Sequence, residues 1–136
     1  MKNFIYSNPT RIIFGRGVIS DVHKYLPSDG KILMIYGQGS IKNNGVYTQV
    51  KKALEDYSIE EFGGIEPNPR YETCLKVLDI IRKANIDYLL AVGGGSVLDA
   101  AKFIALASFY TASNDPWDFM IGRHPGPAGA LPIGCI

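Results

Sequence analysis

The residues best suited to chemistry in this chain form a glycine turn at positions 93–96. Gly93, Gly94 and Gly95 directly follow the apolar run Tyr88–Val92, and Ser96 comes next. The apolar run predicts a buried strand, and apolar residues at helical spacing after Ser96 predict a helix. Glycines let the backbone approach a ligand closely, and a helix N-terminus offers unpaired N–H groups with a partial positive charge. The turn therefore predicts a phosphate site; the alternative is a tight turn that binds nothing.

Ser96 and Asp99 have a second interpretation within the same stretch. Their spacing is a Ser-x-x-Asp variant of the capping box, so Ser96 is predicted to be the helix N-cap. Lys102 lies three residues after Asp99 and is predicted to pair with it on the helix surface. Capping and ligand binding are compatible roles for these two side chains.

Two further loops follow predicted strands. One follows the apolar run at 32–36 and consists of Gly37, Gln38, Gly39 and Ser40. The other is the rigid loop 63–69, in which Asn68 lies between two prolines; the plain alternative for Asn68 is a turn residue. Carboxyl ends of parallel strands share one edge of a sheet, where ligands bind, so all three loops are expected to open there.

Strands alternate with helices along the chain, which predicts an α/β fold with a parallel sheet and flanking helices. Near the N-terminus, Phe4–Tyr6 and Arg11–Phe14 are additional strand candidates that could pair as a β-hairpin or join another subunit's sheet. Apolar spacing predicts further helices over 18–26, 46–57 and 71–83. Asp115 is predicted to be the N-cap of a short helix that begins at Pro116.

Composition narrows the class of protein. The 136 residues have 46% hydrophobic and 20% charged content, which indicates one globular domain. A net charge of +1 without a basic block argues against nucleic acid as a partner, and no run approaches the roughly 18 apolar residues of a membrane span. Cys74 and Cys135 fit no metal spacing, and His23 and His124 are interpreted as surface residues. A soluble, cytoplasmic protein is expected.

Four motifs, in this order, resemble the iron-containing alcohol dehydrogenase family, and within it the NADPH-dependent butanol dehydrogenase and aldehyde reductase branch. They are Tyr36–Lys42, Gly63–Pro69, Ala91–Lys102 and Asp115–Trp117. The resemblance implies a Rossmann-like dinucleotide-binding domain over residues 1–136. It also implies a C-terminal helical domain, absent from this sequence, that holds a divalent metal such as iron or zinc. Residues 1–136 would then contain no catalytic residue and no metal ligand.

The resemblance also implies positions for the cofactor. The pyrophosphate would lie on Gly94, Gly95 and Ser96, with Asp99 near the nicotinamide half. The adenine ribose would face the turn formed by Gly37, Gln38, Gly39 and Ser40, and Asn68 would lie on the adenosine side. The family often has glycine where Gln38 stands, and a side chain there could narrow the groove.

The expected function is the NADP-binding half of an oxidoreductase that transfers a hydride between NADP(H) and a metal-polarised alcohol or aldehyde, such as butanol or butanal. NADP is favoured because no acidic residue follows the turn until Glu55, and because Ser40 and Lys42 could meet a 2′-phosphate; alternatively Lys42 points to water. Two other functions remain open: an NAD-dependent polyol or glycerol-type dehydrogenase, and a nucleotide-binding module without catalysis. The chain alone is expected to be inactive, and to form a homodimer.

Overall fold

The structure is a computed structural model that describes residues 3–136, and its centre is a four-stranded parallel sheet. The strands are β1 (Ile32–Tyr36), β2 (Ile59–Gly63), β3 (Tyr88–Val92) and β4 (Ile133–Cys135). Their order across the sheet is β2-β1-β3-β4, and all three neighbouring pairs are parallel. The sheet and its flanking helices confirm the predicted α/β, Rossmann-like fold.

The helices cover both faces of this sheet. They are α1 (Ser40–Asn43), α2 (Val46–Ala53), α3 (Tyr71–Ala84), α4 (Gly95–Ala107) and α5 (Trp117–Met120), preceded by a 3₁₀ helix at Val18–Tyr25. The helix predicted over 46–57 ends at Ala53, and the separate short helix α1 was not predicted. Within the described residues, no helix has the length and apolarity that a membrane crossing requires.

Two apolar layers hold the sheet in place. Leu33 and Ile35 point toward α3 and α4, whereas Ile32 and Met34 point toward α2 and the 3₁₀ helix; all four are fully buried. Because β1 is covered on both faces, its sequence is continuously apolar rather than alternating. Burial of this kind is the dominant favourable term in folding, at about 25 cal/mol per Å² of apolar surface.

The strand register aligns the three predicted loops. Tyr36, the last residue of β1, pairs with Gly63 at the end of β2 and with Val92 at the end of β3. The N–H groups of Gly64 and Ile65 also donate to the Tyr36 carbonyl, each at 3.1 Å, so the loop after β2 is fastened to β1. The prediction that all three loops open on one edge is therefore confirmed.

The N-terminal segment differs from its prediction. Residues 3–14 form no strand, so the predicted hairpin of Phe4–Tyr6 with Arg11–Phe14 is wrong for this chain. Ile5 and Phe14 are each 99% exposed, which shows that these apolar side chains have no core to pack against. A two-stranded ribbon without a packed face is at best marginally stable in water. The expected homodimer remains a prediction.

Candidate nucleotide-binding site

The glycine turn after β3 has one glycine that the fold requires and two that it does not. Gly93 has φ +154°, and a Cβ on it would lie 2.8 Å from Val97 Cγ2. Gly94 has φ −84°, and a Cβ on Gly94 or Gly95 would meet no atom within 4 Å. The space beside these two residues is thus open at the N-terminus of α4, a helix of 13 residues. A phosphate fits such a place, because the backbone is bare and the helix dipole favours negative charge.

Ser96 does not cap α4. The N-cap is Gly94, whose carbonyl accepts from the N–H groups of Val97 (3.0 Å) and Leu98 (3.2 Å), and no side chain caps this end. The capping box of Ser96 with Asp99 is therefore wrong, because the helix begins at Gly95, before the serine. The Ser96 hydroxyl oxygen instead accepts from the backbone N–H of Asn68 at 3.3 Å.

This hydrogen bond brings two predicted site residues together from separate loops. Asn68 has φ +54°, so it is the left-handed turn residue that its position between prolines indicated. The turn after β1 reaches the same place, because a Cβ on Gly37 would lie 3.5 Å from the Ile65 carbonyl oxygen and 3.8 Å from Val97 Cγ2. The three loops therefore form one continuous surface.

Glu66 anchors the loop that carries Asn68. Its Oε1 accepts from the hydroxyl of Thr73 at 2.7 Å, and Thr73 is buried within α3. This hydroxyl, followed by backbone N–H groups including that of Arg70, lowers the pKa of Glu66. Its second oxygen, Oε2, is buried without a hydrogen-bond partner among the described residues. Sequence reasoning missed this anchor because the carboxylate and hydroxyl are separated by a turn and a helix start.

The turn after β1 has a different geometry from the turn after β3. Gly39 has φ +124°, which side chains rarely adopt, and it precedes α1, a helix of only four residues. Gln38 and Ser40 are exposed at this turn, so their side chains are free to meet a ligand. A helix of one turn contributes little dipole, and charge at this end of the site must come from side chains.

A cluster of charged and aromatic side chains lies beside this turn. The Lys42 amine lies 5.2 Å from the ring centroid of Tyr36 and 5.1 Å from that of Tyr47. Glu61 of β2 accepts from Lys51 Nζ at 2.8 Å and from the Tyr47 hydroxyl at 2.9 Å. The sequence suggested Lys42 alone; the other members come from three different elements, β1, α2 and β2, and gave no joint signal.

Tyr36 itself depends on a glycine in the neighbouring strand. Its ring leans across β2, where a Cβ on Gly63 would lie 2.5 Å from Tyr36 Cε2. The Tyr36 and Tyr47 rings then meet edge to face, with centroids 5.9 Å apart. Gly63 therefore provides the room that places the Tyr36 ring beneath Lys42.

Asp99 stands apart from the other predicted residues. Its carboxylate makes an ion pair with Lys102 at 3.5 Å, as the i,i+3 spacing predicted, and both side chains are about two-thirds exposed, at 69% and 66%. An exposed pair of this kind contributes roughly 0–1 kcal/mol to stability. Within the described residues, the Asp99 side chain makes no hydrogen bond to either glycine turn.

The segment 115–120 is fastened to the start of α3. Asp115 accepts from the Tyr71 hydroxyl and, at 2.9 Å, from the backbone N–H of Trp117. The helix α5 begins at Trp117, one residue later than predicted, but Asp115 still satisfies its first N–H group. Burial, together with the Asp115 carboxylate, raises the pKa of Tyr71 to about 12.

The described residues contain no group of three or more side chains arranged to hold a metal ion. His23 and His124 are both exposed, as the sequence suggested. Cys74 is a buried core residue, and burial raises the pKa of its thiol to about 11.

A parallel sheet whose three carboxyl-end loops meet at a bare helix N-terminus defines the class of Rossmann-like nucleotide-binding domains. The model of one family, described as iron-containing alcohol dehydrogenase, matches residues 9–136. The chain belongs to that family, as the four motifs predicted.

Individual relatives agree with this assignment. The chain is 46% identical over its whole length to the NADPH-dependent aldehyde reductase YqhD of Escherichia coli (strain K12), and covers 35% of that protein. It is 45% identical over its whole length to the probable NADH-dependent butanol dehydrogenase 1 of Bacillus subtilis (strain 168), again covering 35%. The crystal structure of E. coli K-12 YqhD superimposes with a TM-score of 0.92, covering 98% of this chain and 34% of that one. The chain thus spans about a third of the length of these relatives.

Proposed function

We propose that this chain is the cofactor-binding part of an oxidoreductase that interconverts alcohols and aldehydes, such as butanol and butanal, with NADP(H). The observation that carries the proposal is the open space at Gly94 and Gly95, where neither φ nor packing requires glycine. A glycine that the fold does not need is accounted for by a ligand that approaches the backbone closely.

The residues of the chain have distinct roles in this proposal. The N–H groups at the start of α4 and the Ser96 hydroxyl bind the pyrophosphate, and Asp99 lies toward the nicotinamide half. The turn formed by Gly37, Gln38, Gly39 and Ser40 receives the adenine ribose, with Asn68 on the adenosine side. The bound nicotinamide supplies hydride transfer. A divalent metal, iron or zinc, would be held by residues outside this chain, so the chain alone is expected not to reduce aldehydes.

A preference for NADP over NAD is supported by the charge of the turn after β1. An acidic residue in this region selects NAD by accepting from the ribose 2′-hydroxyl, and none occurs between Tyr36 and Glu55. The relatives named above include both an NADPH-dependent and a probable NADH-dependent enzyme at nearly equal identity. Overall similarity therefore does not decide the cofactor, and local charge carries this part of the proposal.

Calorimetric titration of the chain with NADP⁺ and with NAD⁺ tests the binding role, and absence of binding by either contradicts it. Turnover is tested with NADPH, butanal and added zinc or ferrous ion; metal-dependent turnover by the verified 136-residue chain would show that it contains a complete active site.

The second candidate is an NAD-dependent polyol or glycerol-type dehydrogenase. A longer chain that also carries the helical metal domain, assayed with butanal and with glycerol, separates the two enzymes. Preferential turnover of glycerol with NAD would favour the second.

A further inference from the structure

The Lys42 amine is seated on two aromatic rings rather than extended freely into water. Its distances to the centroids of Tyr36 and Tyr47, 5.2 and 5.1 Å, lie within the range of a cation–π interaction. Lys42 is nevertheless exposed, so its charge remains accessible from solvent. The rings fix the direction of a flexible side chain, and less conformational entropy is lost when an anion binds.

The carboxylate of the same cluster, Glu61, is occupied by other partners. Glu61 accepts from Lys51 Nζ at 2.8 Å and from the Tyr47 hydroxyl at 2.9 and 3.2 Å. Over residues 3–136, no carboxylate oxygen lies within 4.0 Å of Lys42 Nζ. Two lysines and one glutamate leave the cluster with a net positive charge, and that charge resides on Lys42.

The position of this charge matches the proposed path of the cofactor. Lys42 lies two residues after Ser40 in α1, and Tyr36 is the last residue of β1, so the amine lies at the carboxyl edge of the sheet. The cluster lies on the side of β1 toward β2, because the Tyr36 ring lies against Gly63 and the Tyr47 hydroxyl donates to Glu61, both residues of β2. The pyrophosphate turn follows β3, on the other side of β1. Because α1 is too short for an appreciable dipole, the amine is the main positive charge beside the turn.

We infer that Lys42, seated on Tyr36 and Tyr47, is the residue that recognises a phosphate on the 2′-oxygen of the adenine ribose. In this arrangement Tyr47 is a positioning residue: its ring supports the amine, and its hydroxyl, with Lys51, keeps Glu61 away from it. The inference rests on the proposed nucleotide-binding function and deepens it, since it assigns cofactor choice to a cluster rather than to the turn alone.

The test is a titration of the chain and its variants with NADP⁺ and NAD⁺ at low and moderate salt. Lys42→Gln should weaken NADP⁺ binding by about tenfold or more, because a charge-assisted contact is lost, and change NAD⁺ binding less than twofold. Lys42→Arg should retain the preference. Lys52→Gln, an exposed lysine of α2 outside the cluster, is the control for net charge and should change neither affinity.

Tyr47→Leu separates positioning from mere folding. It removes the ring and the hydroxyl but leaves Lys42 in place, so the ratio of NADP⁺ to NAD⁺ affinity should fall by about three- to fivefold at unchanged NAD⁺ affinity. Wild type binding neither cofactor would overturn the proposed function and this inference together. Wild type binding both, with an affinity ratio unaffected by Lys42→Gln, or with both affinities lowered equally, would overturn the inference alone.

Discussion

The two glycine turns of this domain follow the same sequence pattern, strand then glycines then serine then helix, yet they are built differently. The turn after β3 leads into α4, of 13 residues, and leaves Gly94 and Gly95 open. The turn after β1 leads into α1, of four residues, with Gly39 at φ +124° and a lysine nearby. The first can bind an anion through backbone and helix dipole, whereas the second needs a charged side chain. Similar motifs therefore indicate different binding modes, and helix length distinguishes them.

The largest expected effect comes from substituting Gly93 in the turn after β3. Gly93→Ala should lower the free energy of unfolding by about 2–4 kcal/mol, from an unfavourable φ and a Cβ at 2.8 Å from Val97 Cγ2. Gly94→Ala, at φ −84° with open space, should change it by less than about 1 kcal/mol. Urea denaturation of both variants measures this difference, and equal destabilisation would show that the turn is uniformly structural.

A second substitution should separate binding from folding. Gly94→Val places a branched side chain where phosphate would meet the backbone, and should weaken NADP⁺ binding by about tenfold to a hundredfold. The melting temperature should stay near that of wild type. Gly126→Val, at another open glycine, is the matched control. If calorimetry finds the NADP⁺ affinity of Gly94→Val unchanged, the cofactor phosphate does not bind at this turn.

The third prediction concerns the turn after β1, where an added acid should reverse cofactor preference. Gly39→Asp is unsuitable, because φ +124° would strain any side chain. Ser40→Asp introduces the same charge at an exposed helical position, and should disfavour NADP⁺ relative to NAD⁺ by about 1–2 kcal/mol. Ser28→Asp, in an exposed turn elsewhere, controls for net charge. An unchanged preference in Ser40→Asp titrations would place the adenine ribose elsewhere.

The smallest expected effect is on pH dependence. Burial alone raises the pKa of Glu61, but hydrogen bonds from Lys51 and Tyr47 outweigh it and lower that pKa. A lowered carboxyl pKa stabilises the fold above its unfolded value, and this contribution is lost as pH falls through the folded value. Thermal melts from about pH 6 to pH 3 should show Glu61→Gln losing less stability than wild type, by under about 1 kcal/mol. Glu60→Gln, on the same strand but exposed, should follow wild type.

Sequence reasoning predicted the parallel sheet because buried strands such as β1 and β3 are short apolar runs followed by glycines, with helical patterns between them. It misplaced the start of α4, since it assigned the N-cap from the Ser96 side chain, whereas the backbone of Gly94 begins the helix. It missed the cluster around Lys42 because Tyr36, Tyr47 and Glu61 belong to β1, α2 and β2, and their side chains meet only when these elements pack together. Local sequence patterns predict individual helices and strands. Contacts between side chains of distant elements become visible only once the fold is known.

The contact between Tyr36 and Gly63 gives position 63 an influence beyond its own strand. Any side chain there would push the Tyr36 ring aside, and the Lys42 amine would lose one of its two aromatic supports. In the proposed scheme of cofactor choice, substitutions at 63 and at 36 are therefore epistatic: a larger residue in the edge strand becomes tolerable only alongside a smaller one at 36. Under this scheme, an evolutionary change of cofactor would depend on the order in which substitutions at positions 36 and 63 accumulate. The edge strand β2 would limit which of these orders keeps the Lys42 amine supported.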